Sequence, residues 1–139
     1  SISWDQELIL WYREELDKFI SSLSLEEIVK FKGSKIYADL LDIYCQSDLL
    51  VNLAPTGGLD KVVLEAMACG LPVLVCNQSF EQFFGNYIDQ LLFKYNNPAD
   101  LADKIFYFMN NFDFRLNMYL RQQVVENHNI NKLVEKLLF

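Results

Sequence analysis

Apolar residues recur mostly at steps of three and four through Leu8, Trp11, Tyr12, Leu16, Phe19, Ile20 and Leu23, and that spacing predicts an amphipathic helix over residues 5–23. Ser24 and Glu27 stand at the spacing of a capping box, so residues 24–27 read as a single helical turn. Ile28 to Phe31 then alternates apolar and basic positions before Gly33, the pattern of a short strand. Helical spacing returns from Ile36 to Gln46. The run Leu49-Leu50-Val51-Asn52-Leu53 is apolar and short, bounded by Ala-Pro-Thr-Gly-Gly, which predicts a buried parallel strand. Asp60 is a natural N-cap for a helix carrying Val63, Leu64, Ala66, Met67 and Ala68, and Gly70 followed by Pro72 closes it. Val73 to Val75 reads as the next strand, Phe80 to Phe84 as a short aromatic helix, and Leu91 to Phe93 as a fourth strand. Helices over residues 99–111, 113–127 and 130–139 complete the pattern.

Strands apolar on both faces, alternating with helices, predict an α/β fold: a Rossmann-like parallel sheet flanked by helices. At 139 residues and 52% hydrophobic character, the chain is long enough for one core, and a single domain over 1–139 is the expectation. The net charge of −7 comes from acids scattered among apolar residues. No Lys/Arg stripe lines up for a phosphate backbone, so nucleic acid is not the expected partner. No apolar run reaches membrane-spanning length, and the first residues lack the charged-then-apolar order of a signal peptide, so a cytoplasmic protein is expected. Cys45, Cys69 and Cys76 show no C-x-x-C spacing and read as buried, reduced thiols.

In a parallel α/β sheet, ligands sit beyond the carboxyl ends of the strands, where loops and helix starts offer N–H groups. That rule selects Ala54-Pro55-Thr56-Gly57-Gly58-Leu59-Asp60-Lys61, which links a strand to a helix and carries two glycines. Spacing alone is a weak indication of anion binding, since many such turns bind nothing. His128 lies in Glu-Asn-His-Asn without metal-ligand neighbours, and no metal is expected. Phe80, Phe83 and Phe84, and the run Phe106-Tyr107-Phe108, read as core and interdomain packing groups rather than a stacking platform.

The stretch Val62-Val63-Leu64-Glu65-Ala66-Met67-Ala68-Cys69-Gly70-Leu71-Pro72-Val73 resembles, without a gap, the conserved segment of glycosyltransferase family 4. The resemblance extends backward through Ile28 to Gly33 and forward through Pro98-Ala99-Asp100-Leu101-Ala102. It implies the C-terminal, donor-binding lobe of the GT-B fold. By the same resemblance, a sugar passes from a UDP- or GDP-linked donor to a hydroxyl acceptor with retained configuration, and no cofactor or metal is needed. Two glutamates eight positions apart mark that family's site, and Glu65 matches the second, which holds the ribose hydroxyls. The first falls on Gly57, and the family's usual Gly-Phe-Gly appears as Gly58-Leu59-Asp60.

The missing carboxylate leaves two readings of Asp60. It caps the helix, or it turns to the sugar hydroxyls while Lys61 offsets phosphate charge. Asp60 and Lys61 are thus the candidate catalytic groups, and Glu65, Gly57, Gly58, Leu59 and Gly33 the candidate donor-binding positions, Gly33 bordering the base. The lobe's opening strands, with their Gly-Arg and phosphate-binding Lys, are not recognisable, which points to an incomplete lobe. The chain alone is therefore expected neither to transfer sugar nor to bind nucleotide tightly. It is expected to use an acceptor-binding lobe of the same protein, with self-association through open sheet edges and peripheral membrane association of the full protein as further partner readings. A degenerate lobe serving as a non-catalytic binding partner is the alternative function.

Overall fold

The structure, a computed structural model, describes residues 4–127, and the chain divides into two units between Lys35 and Ile36. His128 and the predicted helix over 130–139 lie outside the described residues. The first unit is built on α1, Trp4–Ser22. Leu16, Ile20 and, beyond the helix, Leu25 are half-buried, whereas Leu8, Trp11, Tyr12 and Phe19 are exposed.

Ser24 does not open a new helical turn; it ends α1. It adopts the left-handed conformation, φ 55°, with its N–H donating to the Ser21 carbonyl and the Leu25 N–H reaching back to that of Ile20, both at 3.0 Å. This is the paired bonding of a Schellman cap, with Ser where glycine is usual, and it overturns the capping-box reading of Ser24 and Glu27. The predicted strand at Ile28 to Phe31 is also absent, since the segment is unpaired coil. Its ends are tied locally instead. The Ile28 and Val29 N–H groups donate to the Leu25 carbonyl, both at 2.9 Å, and the Arg13 guanidinium lies 3.5 Å from the Phe31 ring centre, a cation–π contact.

The second unit begins with α2, Tyr37–Gln46, and continues through β1, Leu50–Asn52, α3, Lys61–Ala68, and β2, Val73–Val75. The strands pair in parallel with Leu50 opposite Val73 and Asn52 opposite Val75, and α3 forms the crossover. Beyond β2 come 3₁₀ turns at Gln78–Phe83 and Gly85–Tyr87, then the helices α4, Ile88–Leu91, α5, Pro98–Asn110, and α6, Phe114–Asn127. The fourth strand expected at Leu91 to Phe93 is reduced to a single parallel bridge between Leu92 and Val75. Leu91 belongs to α4, and only the Phe93 N–H continues the ladder, to the Val75 carbonyl at 2.9 Å.

β2 is buried along its whole length, and its side chains alternate between two cores as the strand period requires. Val73 and Val75 face a cluster formed by Val63, Ala66 and Met67 of α3, Phe80, Phe83 and Phe84, and Leu116, Leu120 and Val124 of α6. Leu74 and Cys76 face the other way, against Phe93 and against Leu101, Ile105 and Phe108 of α5. Each fully buried large side chain contributes roughly 1.5–3 kcal/mol, so these two faces hold the sheet between helices. Among the described residues β1 has one neighbouring strand, and Val51 is exposed, so the expectation of a buried strand there is corrected. Phe106 and Tyr107 are likewise exposed, so the core part of their packing expectation is corrected. α3 ends as its sequence predicts: Gly70 takes φ 78°, and the Leu71 N–H reaches the Ala66 carbonyl at 3.0 Å.

Candidate functional site

The carboxyl rim of the sheet is organised by two asparagines that follow directly from strand geometry. Asn52 ends β1. Its side-chain oxygen accepts from the Ala54 N–H, and its Nδ2 donates to Asp60 Oδ2, both at 3.0 Å. One amide thereby ties the start of the glycine turn to its end. Asp60 stands at the N-cap of α3 with extended backbone but makes no side-chain bond to the helix. The expectation that it caps α3 is therefore corrected, because Asn52 draws the carboxylate off the helix axis.

Asn77 stands two residues past β2 and is 3% exposed. Its Nδ2 donates to the carbonyls of Gly58, at 3.2 Å, and Gly57, at 3.5 Å, while its Oδ1 accepts from the Ser79 N–H at 3.0 Å. Ser79 Oγ adds a bond to the Gly57 carbonyl at 3.4 Å. Gly57 needs its lack of a side chain, since its φ of 105° lies where L-residues are strained. With the carbonyls held, the N–H groups of Gly58 and Leu59 have no acceptor among the described residues. The Leu59 side chain is partly buried against the core.

Glu65 lies one turn into α3, its side chain 13% exposed. Tyr44 Oη donates to Glu65 Oε2 at 3.1 Å, and Lys61 Nζ sits 3.8 Å from Oε1. Burial, then the neighbouring Glu65 carboxylate, pushes the Tyr44 hydroxyl up to about 12, so the phenol stays a donor to that carboxylate. Lys61 Nζ also stands 6.0 Å from the centre of the Tyr37 ring.

The glycine turn borders a cleft of about 570 Å³ lined by Pro55, Thr56, Gly57, Cys76, Asn77, Gln78, Ser79, Leu92, Phe93, Lys94 and Tyr95. Glu65 does not line it. The candidate residues therefore form two groups: the amide-held turn beside the cleft, and the cluster of Tyr44 from α2 with Glu65 and Lys61 from α3, with Asp60 bonded at the turn's end. Gly33 belongs to the first unit, in a left-handed conformation of φ 67°. Among the described residues no cluster of His, Cys, Asp and Glu is built to hold a metal ion. Asn52, Asn77 and Tyr44 were not singled out by sequence. The first two carried one available signal, an Asn just past a strand and before a turn, where its side chain mimics backbone.

A parallel sheet covered by helices, with a glycine turn at its carboxyl rim, defines the doubly wound α/β class, in which ligands occupy that rim. Residues 11–136 match the family Glycosyl transferases group 1, and the chain belongs to it. It is also 27% identical, over 130 residues, to an uncharacterized glycosyltransferase of Haemophilus influenzae, a match covering 88% of this chain and 35% of that protein. The chain thus spans about a third of the length of this relative.

Proposed function

We propose that this chain supplies part of the donor-binding lobe of a glycosyltransferase, holding a nucleoside diphosphate sugar at the carboxyl rim beside Gly57 and Gly58. The observation that carries the reading is electrostatic. In a chain of net charge −7, the rim cleft contains no carboxylate and does contain Lys94, while the adjoining turn presents the Gly58 and Leu59 N–H groups. Such a surface suits an anionic diphosphate. Tyr44 orients Glu65, whose second oxygen and remaining lone pairs suit the paired hydroxyls of a ribose. Lys61 lies on the same helix and offsets charge developing on the departing diphosphate, as do the turn's N–H groups. Asp60, freed from capping by Asn52, is the carboxylate available to a sugar hydroxyl.

In the full protein the reaction would be transfer of the sugar to a hydroxyl acceptor with retained configuration, the acceptor bound by a second lobe. One observation favours the alternative of a non-catalytic lobe: glycine occupies the place of the family's first glutamate, in a conformation a glutamate would adopt only under strain. Titration of the chain with UDP and with GDP, followed by amide chemical shifts, tests the reading. Saturating shifts at Gly57, Gly58, Leu59, Lys61 and Lys94, in the millimolar range, are expected. Shifts confined to other surfaces, or none at all, would remove donor binding from this rim. Hydrolysis or transfer of a bound donor sugar by the full protein, lost in Asp60→Asn, separates the enzyme from the non-catalytic lobe.

A further inference from the structure

We infer that Cys45 of α2 and Cys69 at the end of α3 form a reversible disulfide pair, a redox-modification site separate from the glycine turn. The inference does not rest on the donor-binding reading. The geometry starts from the bond between Tyr44 and Glu65, 3.1 Å long, which fixes the last turn of α2 against α3. Cys45 is the next residue on α2. Cys69 is four residues beyond Glu65, and positions four apart share a helix face. Cys69 therefore lies one turn further along the face of α3 that meets Tyr44, and Cys45 is the neighbouring side chain that interacts with its thiol.

Both cysteines also line one open cleft of about 620 Å³, together with Leu49 and Pro72 from the amino ends of the strands. This is the opposite rim of the sheet from the glycine turn. Cys45 is exposed, Cys69 half-buried, and both are free thiols, so the expectation that all three cysteines are buried holds for Cys76 alone. Cys69 is the C-cap of α3, where the chain leaves the helix and a small shift of Sγ disturbs no helical hydrogen bond. Cys76, by contrast, is buried with its Sγ 4.0 Å from the Asn52 carbonyl oxygen.

Hydrogen peroxide supplies the oxidant. The accessible Cys45 thiolate attacks one peroxide oxygen, the O–O bond breaks, and protonation of the departing hydroxide releases water, leaving Cys45 as a sulfenic acid. The Cys69 sulfur then attacks Cys45 Sγ. The S–OH bond breaks, the Cys69 proton joins the departing hydroxide as a second water, and the disulfide forms. Burial is the main influence pushing the Cys69 thiol up, against the opposing Arg121 guanidinium. Greater exposure makes Cys45 the first to react and half-buried Cys69 the resolving partner. The closed loop would contain β1, the glycine turn and α3, so oxidation restrains the whole crossover.

Peroxide treatment of the chain, followed by non-reducing peptide mapping, decides the matter. The expected product is a monomer lighter by two hydrogens, with Cys45 and Cys69 peptides cross-linked, Cys76 free, and dithiothreitol restoring the thiols. Its thermal midpoint rises by several degrees over the reduced chain. Cys45→Ser and Cys69→Ser each abolish the cross-link, and wild-type mapping carries the test should either variant fold poorly. Cys45 passing to sulfinic acid while Cys69 stays reduced would overturn the pair. So would a bridge to Cys76 or between two chains.

Discussion

At the glycine turn, Asn77 and Ser79 hold the carbonyls of Gly57 and Gly58 with neutral donors; one turn into α3, Tyr44 and Lys61 converge on the carboxylate of Glu65. Neutral amide bonds fix backbone shape, and their strength changes little with salt or with pH near neutrality. Bonds to a carboxylate orient a charge, respond to proton concentration, and in exposed positions are screened. On the proposed function the difference is a division of labour: the amides would build the cradle, and the charged pair would aim a ligand group. Removing an amide should therefore damage the fold, and removing a charge should damage it least.

The largest effect is expected at Asn77. Asn77→Ala strips two glycine carbonyls of a buried donor and leaves the following 3₁₀ turn without its side-chain cap. A loss of about 2 kcal/mol in urea unfolding follows from the lost hydrogen bonds and cap together. Hydrogen exchange at the Ser79 N–H, which loses its acceptor, should quicken beyond what the global loss explains. A loss below ~0.5 kcal/mol with unchanged exchange would mean that the backbone of the turn holds its own shape.

Tyr44→Phe comes next, at about 1.5 kcal/mol, the low end for one hydrogen bond to a charged group, and it carries a pH signature that Asn77 lacks. The Tyr44 hydroxyl is raised from 10.0 to about 12. The unfolded chain therefore gives up this proton near pH 10 while the folded chain keeps it. The contribution is complete below pH 10 and is lost as pH climbs from 10 to 12. Wild-type stability should fall across that interval more steeply than that of Tyr44→Phe. Equal slopes in the two proteins would detach Tyr44 from Glu65 in solution.

The same contrast explains what the amino-acid order disclosed. Helix α3 was legible at both ends of its apolar stripe because Val63, Ala66 and Met67 keep helical spacing and Gly70 closes the last turn, and local chemistry alone specifies these. Glu65 was singled out through family resemblance, and the structure adds its partners, Tyr44 and Lys61. Asn52 and Asn77 were not, because each acts on residues distant in sequence: Asn77 reaches back to Gly57 across the whole α3 crossover. The position of Asp60 was right and its partner wrong, since N-cap preference describes a helix start in isolation and a strand-end amide outcompetes it. Ile28 to Phe31 had the alternation of a strand but found no neighbour among the described residues, and pairing rather than alternation makes a strand. In Leu91 to Phe93, the turn of α4 consumed Leu91 and left one bridge.

The smallest effect on folding is expected from Lys61→Ala, which sharpens the comparison most. Lys61 Nζ is 3.8 Å from Glu65, and its side chain is 52% exposed. It precedes Glu65 by four residues, the weaker order for a helical ion pair, and it opens the helix, where a positive charge opposes the macrodipole. These terms nearly cancel, so unfolding should change by no more than about 0.5 kcal/mol, and added salt should leave that difference nearly unchanged. Binding should not be spared. If Lys61 serves the diphosphate, Lys61→Ala weakens the response of the Gly58 and Leu59 amides to nucleoside diphosphate several-fold while the fold is intact. A stability loss above ~1 kcal/mol, with the ligand response unaltered, would instead make Lys61 a structural partner of Glu65 and leave the carboxylate, not the lysine, as the ligand-facing group of α3.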